Sequence, residues 1–458
     1  FIEKSFFDCK FTSSLFIHYS FFNAYHQQKE WLTHAHRRDA NLVQRISYNG
    51  FKRWDVEEQL WAQTLQREIP PASFETESRQ CEQSGFLRML FTMQARTSHP
   101  LLKQCTLGVF YEPLSYTDSA ILYTTHLQAL QIPVHIRTSH VLGKRHHLEL
   151  EGSANRSAIL YTIHALSKAG IQLRYGYTSA NKHLESSLFL QQEWTSDFRV
   201  PPAGGLNLAW RFCKNWKAGL TCNRSNRLPT LNELYFKPGG NPDLKPESGW
   251  HAEAYLQTHV TNKRMEIVTE GALYNRLVNN WITWYGSAIL TPHNIWQVWS
   301  RGTDWSGTCV YHLNPVIRTT KQQTTTKNRK DNTLRFGWNY AYTLSTTRQS
   351  ALSNDYSVGK QIPYVPRYQY NLHLAWQLGA FEVKAIHTYM GYRFITTDES
   401  QYLKPLHLNH AELAYTMHGR SYRIQYRLRI SNIFNCTYQG VVGRYMPGRT
   451  VSLGVSVL

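Results

Sequence analysis

The chain has 458 residues, with 50 Lys and Arg against 31 Asp and Glu, and carries a formal charge of +19 at pH 7. Aromatic residues make up 14% of it, a load that excludes a disordered chain, which is poor in aromatics. Mean hydropathy is −0.47 and no run approaches ~18 consecutive apolar residues, so membrane-spanning helices are excluded. A membrane β-barrel is not excluded, because its strands are apolar on one side only.

The sequence begins at Phe1 rather than Met, so the lack of a secretory leader says nothing about compartment. Segment 6–22 is rich in aromatics but broken by Asp8, Lys10 and His18, and reads as a first strand. The rest of 1–113 is poorly patterned. Weak alternation begins at 171–177 and 206–212. It becomes strict at 334–344, where Leu334, Phe336, Trp338, Tyr340 and Tyr342 oppose Arg335, Gly337, Asn339 and Ala341. Segment 368–378 repeats this, with Tyr370, Leu372, Leu374 and Trp376 opposing Asn371, His373 and Ala375. In 422–431, Ile424, Tyr426 and Leu428 oppose Arg423, Arg427 and Arg429, and 451–457 closes with Val451, Leu453, Val455 and Val457. Strict period two predicts strands with one apolar face.

Length then separates lipid from a soluble core. The best segments run to 10–12 residues, against ~5–6 for a globular strand and ~9–11 for a bilayer-crossing one. No amphipathic helix is available to cover such a sheet. Trp281, Trp284, Trp338, Tyr342, Trp376, Tyr389 and Tyr392 are expected near strand ends, as interfacial girdles require. The predicted links also alternate. They are long at 224–248, 285–293, 345–366, 392–405 and 433–447, and short at 378–380 and 418–421, as outward loops and inward turns alternate in outer-membrane barrels. The Thr- and Lys-rich stretch 315–331 falls where a short turn is due and reads as an insertion. About nine strands follow the 224–248 loop and about thirteen precede it. The expectation is an all-β, transmembrane antiparallel barrel of about 22 strands spanning 1–458, with a lumen wide enough to need a plug.

Two segments carry a family resemblance. In 223–255, Arg227, Pro229, Glu233, Leu234 and Tyr235 are followed by Gly240, Asn241, Pro242, Leu244, Pro246 and Glu247. In 430–454 stand Asn432, Ile433, Phe434 and Asn435, then Tyr438, then Pro447, Gly448 and Arg449. In that order they resemble the signature loop and the closing strands of TonB-dependent outer-membrane receptors. Ser300-Arg301-Gly302 and Pro363-Tyr364-Val365-Pro366-Arg367 fit between them. Pro238, Pro242 and Pro246 lack a ladder N–H and stiffen the first loop, so the signature reads as structural, with Glu247 a loop anchor.

The resemblance implies a receptor in the bacterial outer membrane that imports a scarce nutrient such as siderophore-iron, cobalamin or haem. It also implies a TonB partner, reached through an N-terminal plug and TonB box. These, with a signal peptide, are expected upstream of Phe1. The family usually ends on an aromatic residue, whereas this chain ends on Leu458. The rival readings are a plugless passive pore or a non-functional barrel fragment, and, outside the class, a soluble all-β glycosidase.

The seven cysteines form no CxxC pair and read as neither zinc site nor disulfide scaffold. His34/His36 and His146/His147 lack a third ligand or HExxH spacing, so no metal site is assigned. No triad, P-loop or carboxylate pair points to an enzyme, and no cofactor is expected. Arg423, Arg427 and Arg429 share a polar face expected to line the lumen and pair with acidic groups of the plug. The basic charge is dispersed, so nucleic acid is not an expected partner. Outer-membrane lipid, lipopolysaccharide phosphates and a small-molecule ligand are.

Overall fold

The computed structural model describes residues 2–6, 11–22, 26–27, 30–31, 34–71, 75, 77–96, 102–237, 239–285, 291–313, 332–350, 355–419 and 422–457. Strand accounts for 73% of the described residues and helix for 1%, so among them no helical layer shields the sheet. Twenty-one strands form one antiparallel sheet in which each pairs with the next. They are β1–β7 at Ile2–Phe6, Phe11–Phe22, Arg37–Tyr48, Trp54–Ile69, Gln80–Ala95, Gln104–Asp118 and Tyr123–Leu142. Strands β8–β14 are His146–Ile159, Ala165–Thr178, Leu184–Thr195, Ala203–Cys213, Trp216–Arg227, Glu247–Thr261 and Met265–Tyr285. Strands β15–β21 are Thr291–His312, Asn332–Gln349, Tyr368–Leu378, Phe381–Met390, Leu406–His418, Arg423–Ser431 and Thr450–Val457.

The barrel expectation therefore holds, with nine described strands after the 228–246 link and twelve, rather than thirteen, before it. The insertion expected at 315–331 lies outside the described residues, as does Pro238. Links from even- to odd-numbered strands include 228–246, 350–367, 391–405 and 432–449. Those from odd to even include 143–145, 214–215, 262–264 and 379–380. The first set marks the outer rim and the second the inner one. Contacts far apart in sequence draw the wall into a barrel: the Arg444 guanidinium donates to the Pro70 carbonyl, and the Tyr123 hydroxyl to the Lys237 carbonyl.

Cross-strand partners share a face, so the register sorts every side chain. Leu220, Ala254, Leu273, Thr303 and Tyr342 lie in one lateral row and face lipid, with Leu273 65% exposed. The next positions along the strands, such as Glu253, Tyr274 and Gly302, face the lumen. Gly302 is required where it stands. A Cβ there would lie 1.9 Å from the Tyr342 carbonyl oxygen and 2.6 Å from the Tyr274 hydroxyl. Trp376 and Tyr389 do lie near strand ends. Trp338 and Tyr342 do not, because β16 runs past them to Gln349 before the rim is reached.

The N-terminal wall departs from this alternation. Phe16, Val43, Trp61, Arg88 and Phe110 form one row across β2–β6, and it faces the lumen. Its neighbouring row, Leu15, Gln44, Leu60, Met89 and Val109, faces lipid. Arg88 sits 4.4 Å from the Phe86 ring centroid and 5.8 Å from those of Trp61 and Phe110. Its Nε donates to Glu112 at 3.1 Å.

Candidate functional site at the outer rim

The signature residues fold into a small platform on the outer rim. Thr230 caps a five-residue helix, Leu231–Tyr235, through a capping box with Glu233, so two orphan N–H groups are satisfied reciprocally. The Glu233 carboxylate also takes a forked pair of bonds from Arg227, at 2.6 and 3.1 Å. Arg227 Nε lies 3.8 Å from Glu247, whose Oε1 accepts the Ile282 N–H at 2.8 Å. Both carboxylates are buried, at 7% exposure, and one guanidinium serves them.

Beneath these charges, Leu234, Leu244 and Ile282 form a buried apolar cluster flanked by Phe198 and Tyr235. Tyr235 stacks on His164 with ring centroids 3.9 Å apart. Pro229 is fully buried. Gly239 has φ +118, in the region glycine favours. A Cβ on Gly240 would lie 2.6 Å from the Phe236 nitrogen. Asn241 bonds the Pro292 carbonyl at 2.9 Å, and the Pro246 carbonyl accepts from Asn280 at 3.3 Å. Each motif position except Pro242, for which no such contact is seen, thus has a packing or hydrogen-bonding task.

The C-terminal signature builds a second loop. Asn432, 3% exposed, donates to the Cys436 carbonyl at 2.8 Å and accepts its N–H at 2.9 Å. Asn432 and Asn435 both have positive φ, a conformation asparagine tolerates well. Asn435 accepts the Arg449 N–H at 2.8 Å, so the turn is tied to the start of β21 just after Pro447 and Gly448. Burial raises the Tyr438 phenol above its usual range. Phe434 is 71% exposed.

Sequence reading missed how the rim loops are joined. Gln361, 1% exposed, bonds the Thr343 and Val365 carbonyls, each at 3.2 Å, and accepts the Ser345 N–H at 3.0 Å. Its own N–H donates to Glu399 at 2.7 Å, and Arg367 reaches the same oxygen at 3.1 Å. Arg393 donates to the carbonyls of Gly440 and Gln439, both at 2.9 Å, and burial lowers its pKa. The described residues of loops 350–367, 391–405 and 432–449 are therefore one connected body. No local pattern signals such contacts, since each joins different loops.

In the lumen, Arg423, Arg427 and Arg429 share the polar face of β20. Arg427 Nε lies 3.2 Å from Glu412 of β19, which Lys384 of β18 approaches at 3.6 Å. Arg427 thus has an acidic partner within the wall. Arg423 and Arg429 have none among the described residues. His34 and His36 meet at Glu68, at 3.7 and 3.0 Å. His146 bonds Tyr175, and His147 lies 3.6 Å from Glu149. Among the described residues, no group of three His, Cys, Asp or Glu side chains is placed to hold a metal ion.

A wide barrel with lipid-facing apolar rows, a lumen polar along its C-terminal wall and joined outer loops defines a receptor-type outer-membrane β-barrel. Residues 165–435 match the family model described as "TonB dependent receptor-like, beta-barrel", and the chain belongs to that family, whose members reside in the outer membrane. No curated protein sequence matches it. Solved structures share its fold. The siderophore receptor PirA from Acinetobacter baumannii aligns with a TM-score of 0.74 at 10% identity, covering 100% of this chain and 76% of that one. The copper transporter OprC gives 0.72 at 11% identity, covering 98% and 76%. The ferric citrate transporter FecA in its unliganded form gives 0.71 at 12% identity, covering 100% and 74%.

Proposed function

We propose that this chain forms the wall of a TonB-dependent importer that captures a scarce metal chelate at the joined outer loops and releases it inward. The observation that carries the reading is the single connected body made by loops 350–367, 391–405 and 432–449 through Glu399 and Arg393. A ligand that touches one of these loops meets a surface already ordered, so little entropy is spent in binding it. The net charge of +19 favours an anionic chelate, which a positive field would concentrate at the mouth. The proteins of similar fold are a siderophore receptor, a copper transporter and a ferric citrate transporter, which handle metals and metal chelates.

Energy would enter from TonB through a plug held in the lumen, where Arg423 and Arg429 would meet its acidic groups. The lipid-facing rows would contact outer-membrane lipid. Binding and release require no bond-making by the wall itself. The test is uptake of radiolabelled ferric chelates by cells that express the full protein, with and without TonB. Uptake that requires TonB and falls when Arg393 is replaced supports the reading. Passage that is independent of TonB, seen as steady single-channel conductance, overturns it in favour of a passive pore.

A further inference from the structure

The basic charge is dispersed in the sequence, but the fold gathers much of it at the inner rim. Six consecutive inner links join the strands from β3 to β14 in pairs: 49–53, 96–103, 143–145, 179–183, 214–215 and 262–264. Each holds one or two Lys or Arg, and none holds Asp or Glu. Three carry neighbouring pairs, Lys52-Arg53, Lys144-Arg145 and Lys263-Arg264, and between the last two links stand Lys182 and Lys214. These eight residues are exposed, and among the described residues none of them forms an ion pair, whereas Arg96 on the same rim meets Asp55 at 2.6 Å. At a strand spacing of about 4.8 Å the links follow one another every ~10 Å, along an arc of roughly 50 Å.

The guanidiniums that build the outer platform and its joints, Arg227, Arg367 and Arg393, all bond partners within the protein. The inner arc is instead a row of like charges without internal partners, which repel one another and gain from an anion that spans them. The surroundings select that anion. A folded protein partner needs an apolar or aromatic anchor at the centre of its interface, and links 143–145, 179–183, 214–215 and 262–264 hold no apolar side chain larger than Ala180. Membrane lipid is met one level higher. Trp210 and Trp216 lie on the lipid side beside link 214–215, at 57% and 38% exposure. Indole rings mark the headgroup level, and Lys214 stands past them on the periplasmic side.

We propose that the inner rim between β3 and β14 binds peptidoglycan through the free carboxylates of its peptide stems. This polymer lies beneath an outer membrane, is extended and repeats its carboxylates, so it can follow an arc that a compact ligand cannot span. Ammonium and guanidinium donors suit carboxylate oxygens. Each exposed pair is weak, but pairs made along one connected polymer reinforce one another. The inference rests on outer-membrane placement and not on the imported ligand, so its failure and that of the import reading are separate events.

The test sediments the full protein, purified from outer membranes in detergent, with purified peptidoglycan sacculi and measures the bound fraction against sacculus concentration. Binding is expected at low salt and should fall as ionic strength rises. Lys144→Gln, Arg145→Gln, Lys263→Gln and Arg264→Gln combined should weaken it on the order of fifteenfold, at about twofold for each exposed ion pair lost. Heat-modifiable migration checks that this variant folds. Lys144→Gln with Arg145→Gln alone should cost about fourfold and keeps the test open if the larger variant does not fold. Lys360→Gln with Lys404→Gln, on the outer loops, should leave binding unchanged, and sacculi with amidated carboxylates should not bind. Full binding by the four-site variant or to amidated sacculi would overturn the assignment, as would an equal loss in the outer-loop variant. A loss seen only on phosphatidylglycerol vesicles would give the arc to lipid instead.

Discussion

In β12–β15 the lipid-facing side chains are Leu220, Ala254, Leu273 and Thr303, while Glu253 and Tyr274 look into the lumen. In β2–β6 the lumen side instead carries Phe16, Val43, Trp61 and Phe110, and the lipid side includes Gln44 and Glu58. Both regions are strands of one sheet with the same continuous antiparallel pairing. Alternation reports only what each face touches, whereas the hydrogen-bonded ladder makes the strand. Where the lumen side is itself aromatic, the ladder persists and the sequence pattern fades. The two regions also stabilise themselves differently. The C-terminal one has a buried cluster and paired charges at its rim, and the N-terminal one gathers aromatic rings around the Arg88 guanidinium, which also pairs with Glu112, beside lumen-side pairs such as Arg45–Glu57.

The sharpest way to break this contrast is at the rim cluster. Leu234→Ala, at a side chain 3% exposed, should lower stability by about 2–4 kcal/mol, measured by guanidinium unfolding in lipid vesicles. A loss much smaller than that would mean the platform carries no core. Arg227→Ala should cost roughly 2 kcal/mol. That is less than for a fully buried pair, because the guanidinium is 44% exposed and water screens part of the interaction. Glu233→Gln in the same background recovers part of it if two uncompensated carboxylates are the cause.

Trp61→Ala removes an edge-to-face contact with Phe86, at 4.8 Å between centroids, and a cation–π contact, for about 1 kcal/mol. Its direction is separately testable. Trp61→Phe should remove fluorescence quenched by acrylamide in an open lumen, whereas Trp305→Phe should remove fluorescence quenched by brominated acyl chains. The reverse result would exchange the two faces. The smallest effect is expected at Asp398, whose carboxyl is held at about 2 by bonds from Thr396 and Ser400. Its folded pKa is depressed from 3.8, so its contribution is present above that value and is lost as pH falls through about 2. Amide exchange at Ser400 should stay protected at pH 3 and rise toward pH 2, and in Asp398→Asn the protection should no longer depend on pH.

Much of the C-terminal half was legible. Segment 368–378 is β17, whereas the signature reads from sequence only as a proline-stiffened structural loop anchored at Glu247, and its capping box and forked Arg227–Glu233 pair emerge only in the structure. The first 113 residues resisted for a physical reason: Trp61, Phe86 and Phe110 place apolar groups on the lumen side, so neither face is cleanly polar. The joined rim was illegible for another. Gln361 and Glu399 stand 38 residues apart, and Arg444 and Pro70 374 apart, distances at which no periodicity survives.

The joints at Glu399 and Arg393 also limit how such a protein can change. A loop whose anchoring acceptor lies on its neighbour cannot be exchanged alone. Grafting 391–405 from another receptor would remove the carboxylate that anchors Gln361 and Arg367 and the guanidinium that holds Gln439 and Gly440. Exchange of the three loops as a set keeps every joint internal, so new specificity is expected to be inherited as a block, while single substitutions accumulate on exposed positions between the joints.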